Sequence, residues 1–410
     1  MGRTLRYLHM GKNRTETDEQ VAELLRTAKD ALGLSLTFLS RLDGETQHLE
    51  VVETSIPFFK DGQTQPQATS FCQAILDGKL PKVIPNVAKL PEAKRLPAAR
   101  FPRIRSYVSV PVTLSDGTLY GTFCAAGFTS DNQLSKRDQA LMEVLAKAAA
   151  TVIEPGVERQ RRERTIRARL QPVISDGGPL VVLQPIVSLT DGRRVGAEAL
   201  SRFPVEWGMA PDLVFAEASE IHARTQLELL ALRAAAQHLS ATDGYIAINL
   251  SPDVLLDARC GELLRDLPAG RVLVELSEHD PVDDYEELAS VLEGHRSAGM
   301  RLAIDDVGAG YSSLRHILMT RPDVIKLDRS IVAGVGEDVV LAALVGSLAE
   351  FAHGLDATVV AEGVETPDDA AALGRLGVDL GQGWFFGRPG PPGELRSSYP
   401  LSDPVLAARR

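Results

Sequence analysis

Two kinds of hydrophobic patterning divide the chain. Near the start, Val21, Leu24, Leu25, Ala28 and Leu32 recur at helical spacing and predict an amphipathic helix over 18–32, which Gly33 stops. Apolar runs at 35–42, 48–54, 106–114 and 118–126 predict strands, the last two joined by the hairpin turn Ser115-Asp116-Gly117. A closing helix over 134–153 places Leu141, Leu145, Ala148 and Val152 on one face. This is an α/β layout in which helices flank an antiparallel sheet. Pro155-Gly156 interrupts the pattern, and 157–170 resumes it with dense charge as a linker helix, where Glu158 and Glu163 among the arginines favour a solvated face over an anion-binding one. From Pro179 onward short apolar strands alternate with helical stretches. Candidate strands at 181–187, 194–200, 245–250, 272–276, 302–305, 323–326, 358–361 and 379–383 suit a (β/α)8 TIM-like barrel.

Composition narrows the choices. At 410 residues the chain exceeds what one core supports, so two domains are expected. A net charge of −11 argues against a nucleic-acid polymer as partner. With no run of about 18 apolar residues and no secretory start, the expectation is a cytoplasmic protein without membrane insertion. Cys72, Cys124 and Cys260 form neither metal-ligand nor redox spacing and read as buried thiols in a reducing compartment.

The chemistry lies where the later strands end. Glu198 and Arg202 close the second, Asn249 the third, Glu275 and Glu278 the fourth, Asp305 and Asp306 the fifth, Lys326 the sixth, Glu362 and Glu365 the seventh, and Gln382 the eighth. One acid after a strand is an ordinary helix cap. Seven consecutive strands finishing this way bring their polar heads to one mouth, where so many carboxylates repel unless cations neutralise them. All-oxygen ligands suit Mg²⁺ or Mn²⁺, and we expect two ions sharing an aspartate. A competing metal reading, His279-Asp280, lacks the further histidines it needs.

These residues resemble the EAL-domain cyclic di-GMP phosphodiesterases, in Glu198-Ala199-Leu200, Gln184-Pro185-Ile186-Val187, Asn249-Leu250-Ser251, Glu275 with Glu278, Asp305-Asp306-Val307-Gly308, Lys326-Leu327-Asp328, Glu362-Gly363-Val364-Glu365 and Gln382-Gly383-Trp384. The resemblance covers 169–389 and implies a modified TIM-like barrel. It implies that Glu198, Asn249, Glu275 and Asp305 hold one metal and that Asp305, Asp306 and Glu362 hold or orient the second. Lys326 would then steady the nucleophilic water or the charge on phosphorus, and Arg202, Gln184, Gln382 and Glu365 would contact substrate. Hydrolysis would give linear pGpG. Glu278 would stabilise a loop coupling dimer contacts to metal binding. Val307, Ala309 and Trp384 depart from the usual Phe, Thr and Tyr and leave the strength of that coupling open. A receptor that binds without turnover and an inert scaffold are the alternatives, and no diguanylate cyclase segment is present.

The first part resembles a GAF domain, in Ser70-Phe71-Cys72, Tyr107-Val108-Ser109-Val110-Pro111, Gly121-Thr122-Phe123-Cys124 and the closing helix. This implies either a small-molecule sensor or a dimer-forming scaffold. Gln73 after Cys72 argues against a bilin, and the pattern of cyclic-nucleotide binders is incomplete, so a ligand, if bound, has no name. The expected organisation is an extension over 1–18, a GAF domain over 19–154, a linker over 155–170, an EAL domain over 171–400 and a tail over 401–410, in a homodimer whose helices pair.

Overall fold

The two patterned regions fold as separate units. The protein is described by a computed structural model over residues 14–277, 280–308, 313–399 and 401, and its contacts divide after Arg162.

In the first unit, the helix Glu16–Leu32 opens with a capping box in which Thr15 and Asp18 satisfy each other's backbone N–H, and it ends at Gly33 with φ 64°. Six strands follow: β1 (Leu36–Leu42), β2 (Thr46–Thr54), β3 (Gln63–Pro66), β4 (Val83–Ile84), β5 (Ser106–Thr113) and β6 (Leu119–Gly127). They form an antiparallel sheet in the order β3-β2-β1-β6-β5-β4. The period-two alternation of β6 decides what lies on each face. Phe123 and Ala125 pack with the first and closing helices, while Cys124 and Ala126 pack on the opposite face with the short helix Phe71–Leu76 and Tyr107. The four predicted strands are present. The sequence reading missed β3, which is polar and exposed, and β4, which is only Val83-Ile84, so neither shows an apolar alternation.

The expected break at Pro155-Gly156 does not occur, for one helix runs over Lys136–Ser175. Pro155 lies exposed, so the carbonyl it leaves without a partner reaches water. Within the second unit, the end of this helix buries Ile166 and Leu170 against Val214, Ala218 and Leu227.

The second unit is a closed barrel of eight strands: β7 (Leu180–Ser188), β8 (Arg194–Arg202), β9 (Tyr245–Asn249), β10 (Val272–Ser277), β11 (Arg301–Val307), β12 (Val324–Leu327), β13 (Thr358–Ala361) and β14 (Leu380–Gly381). All eight predicted strands are there. One runs against the others, since β7 pairs antiparallel with both β8 and β14. The cause is local. Only residues 189–193 join β7 to β8, too few for the crossover of about a dozen residues that a parallel pair needs.

Candidate active site

The inside of the barrel is a stack of layers, and period two carries each strand from one layer to the next. The apolar layer holds Ile186, Ala247, Leu273, Ala303, Val324 and Val360, with Leu380 packed against it. Gly196 takes the β8 place, where a Cβ would come within 2.7 Å of the Tyr245 ring that fills the space. Two residues further toward the mouth along each strand stand Gln184, Glu198, Asn249, Glu275, Asp305, Lys326, Glu362 and Gln382. Eight sequence-predicted residues therefore form one ring for one geometric reason.

Lys326 is fully buried at the centre of this ring. Its Nζ lies 2.6 Å from Glu362 Oε1, 2.9 Å from Glu275 Oε1, 3.0 Å from Asp305 Oδ1 and 3.8 Å from Glu198 Oε2. Glu198 is held from two sides, since Asn249 Nδ2 donates to its Oε1 at 2.9 Å and Gln382 Nε2 to its Oε2 at 2.6 Å. Gln382 Nε2 also reaches Gln184 Oε1 at 3.2 Å, and Gln184 donates to the Gly387 carbonyl. These two glutamines thus brace a carboxylate as well as line the cleft.

Asp306 joins the ring through a backbone irregularity. Ile304 pairs with Ile325 but Val307 pairs with Leu327, so β11 carries one extra residue, and Asp306 takes up the bulge at φ 59°. Consecutive strand residues face opposite ways, and the bulge lets Asp305 and Asp306 both serve the mouth. Across the cleft the loops after β13 and β14 meet backbone to backbone. A Cβ on Gly383 would lie 2.2 Å from the Val364 carbonyl oxygen, so only glycine fits.

Two sets of carboxylates have oxygens within 4.8 Å of one another, Glu198 with Glu275 and Asp305, and Asp305 with Asp306 and Glu362. Four of these acids, Glu198, Glu275, Asp305 and Glu362, thus surround one ammonium. Burial and mutual repulsion push the Glu275 carboxyl well above its usual range against the pull of Lys326, and raise Asp305 in the same way. Glu362, its side chain 19% exposed, is pushed up to about 8 by burial and by Asp305 and Glu198. Burial disfavours the Lys326 charge, but the acids outweigh it and hold that pKa well above the ordinary lysine value. Protons or added cations are what this ring lacks. Among the described residues, none donates a directed hydrogen bond to either oxygen of Glu275, although Lys326 lies close. Asn249 has committed its N–H₂ to Glu198, which leaves its amide oxygen as the atom for a ligand. A fully oxygen donor set with orphaned buried oxygens fits Mg²⁺ or Mn²⁺.

Two hollows touch the ring. One, of about 350 Å³, is lined by Glu198, Asp305, Asp306, Glu362, Glu365 and Trp384 among others. The other, of about 430 Å³, touches Asn249, Glu275 and Arg202. Arg202 is thus placed beside the ring and away from its centre, its Nη1 donating to the Ser201 carbonyl. Glu365 pairs with Arg329 at 3.0 Å. Glu278, His279, Ala309 and Ser312 lie outside the described residues.

Sequence reasoning missed a buried acid that lines the larger hollow with Asn249 and Glu275. Glu228, buried on the helix Arg224–Ala236, accepts from the Ser251 N–H at 2.8 Å, the Ser251 hydroxyl at 3.0 Å and Arg224 Nε at 2.6 Å. It fixes the turn just after Asn249. Arg224 also pairs with Asp280 at 3.0 Å, so the Asp280 carboxylate is engaged by a guanidinium. The available signals were an acid alone on the apolar run Leu227–Leu232 and its i,i+4 spacing from Arg224.

A family model described as EAL domain matches residues 139–389, and one described as GAF domain matches residues 15–154. The probable cyclic di-GMP phosphodiesterase PdeB of Escherichia coli (strain K12) is 32% identical over 241 residues, 56% of this chain and 46% of that protein. An uncharacterized protein of Mycobacterium tuberculosis (strain H37Rv) is 29% identical over 328 residues, 72% of this chain and 52% of that protein. The chain spans about half the length of these curated relatives. Among solved structures, the PaMucR phosphodiesterase in its c-di-GMP complex superposes with a TM-score of 0.51 at 27% identity, over 57% of this chain and 100% of that one.

Proposed function

The chain belongs to the EAL-domain family, whose model matches more than half of it, and from that premise we propose that it hydrolyses cyclic di-GMP to linear pGpG with divalent cations, under the control of its GAF domain. The observation that carries this reading is the pair of carboxylate sets sharing Asp305 at the barrel mouth. Relatives named as probable cyclic di-GMP phosphodiesterases support the substrate.

Glu198, Asn249, Glu275 and Asp305 are the residues to hold one cation, and Asp305, Asp306 and Glu362 the other. Such ions polarise a phosphodiester and lower the pKa of water at neutral pH. The protein supplies the rest. Gln382 and Asn249 fix both oxygens of Glu198, so this ligand does not have to be ordered when substrate arrives. Lys326 is locked among acids and keeps its proton, so it supplies the ring with a fixed positive charge that would stabilise charge growing on phosphorus. The two hollows at the ring give each half of a dinucleotide its own space, with Arg202 in one and Gln184, Gln382 and Glu365 in the other to contact it.

For the domains we propose a sensor over 19–154, a connecting stretch over 155–170 and a barrel over 171–400, and the change of compact unit after Arg162 supports this placement. A homodimer is supported by the apolar Leu314, Leu318 and Met319, half or more exposed on the helix Ser313–Thr320. The test incubates the purified full chain with cyclic di-GMP and Mg²⁺ or Mn²⁺, with and without chelator, and separates the products by chromatography. Metal-dependent pGpG is expected. Tight binding without turnover in either metal would make the protein a receptor instead.

A further inference from the structure

Outside the barrel, another buried reactive group emerges that the spacing of the cysteines in sequence did not show. Cys72, on the helix Phe71–Leu76, and Cys124, on β6, stand 52 positions apart, yet their sulfurs lie 3.3 Å from each other inside the sensor unit. They meet because Cys124 belongs to the alternating face of β6 that this helix covers. Their surroundings are polar in a region that is otherwise apolar. Gln47 Nε2 donates to Cys72 Sγ at 2.9 Å, and the Tyr107 hydroxyl lies 3.1 Å from it. Ser109 Oγ stands 3.3 Å and Thr122 Oγ1 3.2 Å from Cys124 Sγ. Gln47 and Tyr107 are themselves almost wholly buried. A core packed only for volume has no use for four polar side chains around two thiols, because each must find a partner to avoid a desolvation penalty. A seat of N–H and O–H donors is what a thiolate needs.

We propose that Cys72 and Cys124 form a hydroperoxide-sensing dithiol that closes to an intramolecular disulfide. The Cys72 thiolate attacks one peroxide oxygen; an S–O bond forms, the O–O bond breaks, and the departing hydroxide takes up a proton as water. The Cys124 sulfur then attacks the Cys72 sulfur, an S–S bond forms, the S–O bond breaks, and the second hydroxide leaves as water with the Cys124 proton. Two thiols lose two electrons in total and one peroxide becomes two waters.

Three features support the chemistry. Burial opposes ionisation of Cys72, but hydrogen bonds from Cys124, Thr122, Tyr107 and Gln47 outweigh it and hold the thiol down to about 6. Burial pushes Cys124 well above its usual value, which leaves it the protonated, resolving partner. A hollow of about 50 Å³, room enough for a molecule of peroxide, runs from the exposed residues Gln63, Thr64 and Gln65 to Tyr107, whose hydroxyl lies 3.1 Å from Cys72 Sγ; the sulfurs do not line it, so Tyr107 stands between peroxide and thiol. Cys260 offers the contrast. It is buried in the other unit, and burial pushes its thiol up to about 12. The inference is independent of what the barrel hydrolyses.

The test uses the full-length protein, reduced, freed of reductant, treated with hydrogen peroxide, alkylated and digested for mass analysis. One cross-linked Cys72–Cys124 peptide is expected, two hydrogens lighter than the reduced pair and released by dithiothreitol. It should form equally in Cys260→Ser and vanish in Cys72→Ser and Cys124→Ser. Because the main readout is the unaltered chain, misfolding of a variant does not decide the matter. All three thiols alkylating as before, oxygen adding stepwise to Cys72 without a cross-link, or a link to Cys260 or between chains would each overturn the proposal.

Discussion

The barrel mouth and the sensor interior both bury polar side chains, but they balance them in opposite ways. At the mouth four carboxylates crowd one lysine, with Asp306 close to two of them, so the cluster is over-charged and calls for cations. In the sensor, amides and hydroxyls gather round two thiols with no carboxylate or ammonium among them: Gln65 donates to Gln47, Gln47 to Cys72, and Ser40 pairs with Thr122 at 2.8 Å. The first arrangement is incomplete by itself and is built for something that arrives. The second is complete while reduced, and only oxidation changes it.

Substitutions separate the two. Asp305→Asn removes the carboxylate shared by both ligand sets, and turnover of cyclic di-GMP should fall by at least about a hundredfold, more than loss of an outer-shell partner costs. Without added metal the same variant should melt higher, since one of several repelling acids is gone; activity assays and thermal melts check both. Lys326→Met takes away the ammonium and leaves the acids facing each other, so unfolding in denaturant without metal should show a loss of about 3–5 kcal/mol, partly restored by Mn²⁺. Glu228→Gln weakens the hold on Ser251, and steady-state kinetics should show a loss of about tenfold with metal present. In the sensor, Thr122→Val leaves the Ser40 hydroxyl without its partner and should cost only about 1–2 kcal/mol, insensitive to Mn²⁺. Metal-dependent recovery confined to the barrel variants upholds the contrast, and its appearance in Thr122→Val would break it.

The same contrast explains what could be read from the chain. The ring at the mouth was legible because strand period two, repeated over eight strands, places Glu198, Asn249, Glu275, Asp305, Lys326, Glu362 and Gln382 at equivalent steps beyond an apolar layer. Asp306 escaped this rule, since only the bulge in β11 brings it round. The direction of β7 was written in its short link to β8, a length argument that apolar patterning does not carry. The Lys136–Ser175 helix passes Pro155 because that residue faces water, and exposure is a tertiary fact. Glu228 and the Cys72–Cys124 pair are contacts between elements distant in sequence, each made of single residues with no repeat to betray them.

The proposed function requires that the barrel mouth gather two divalent cations through a common aspartate. Counting bound Mn²⁺ by electron paramagnetic resonance during titration of the full chain and of Asp305→Asn tests it most directly. Two ions per chain are expected in the unaltered protein, with loss of tight binding at both sites in the variant. Two ions held with undiminished affinity by Asp305→Asn would contradict it.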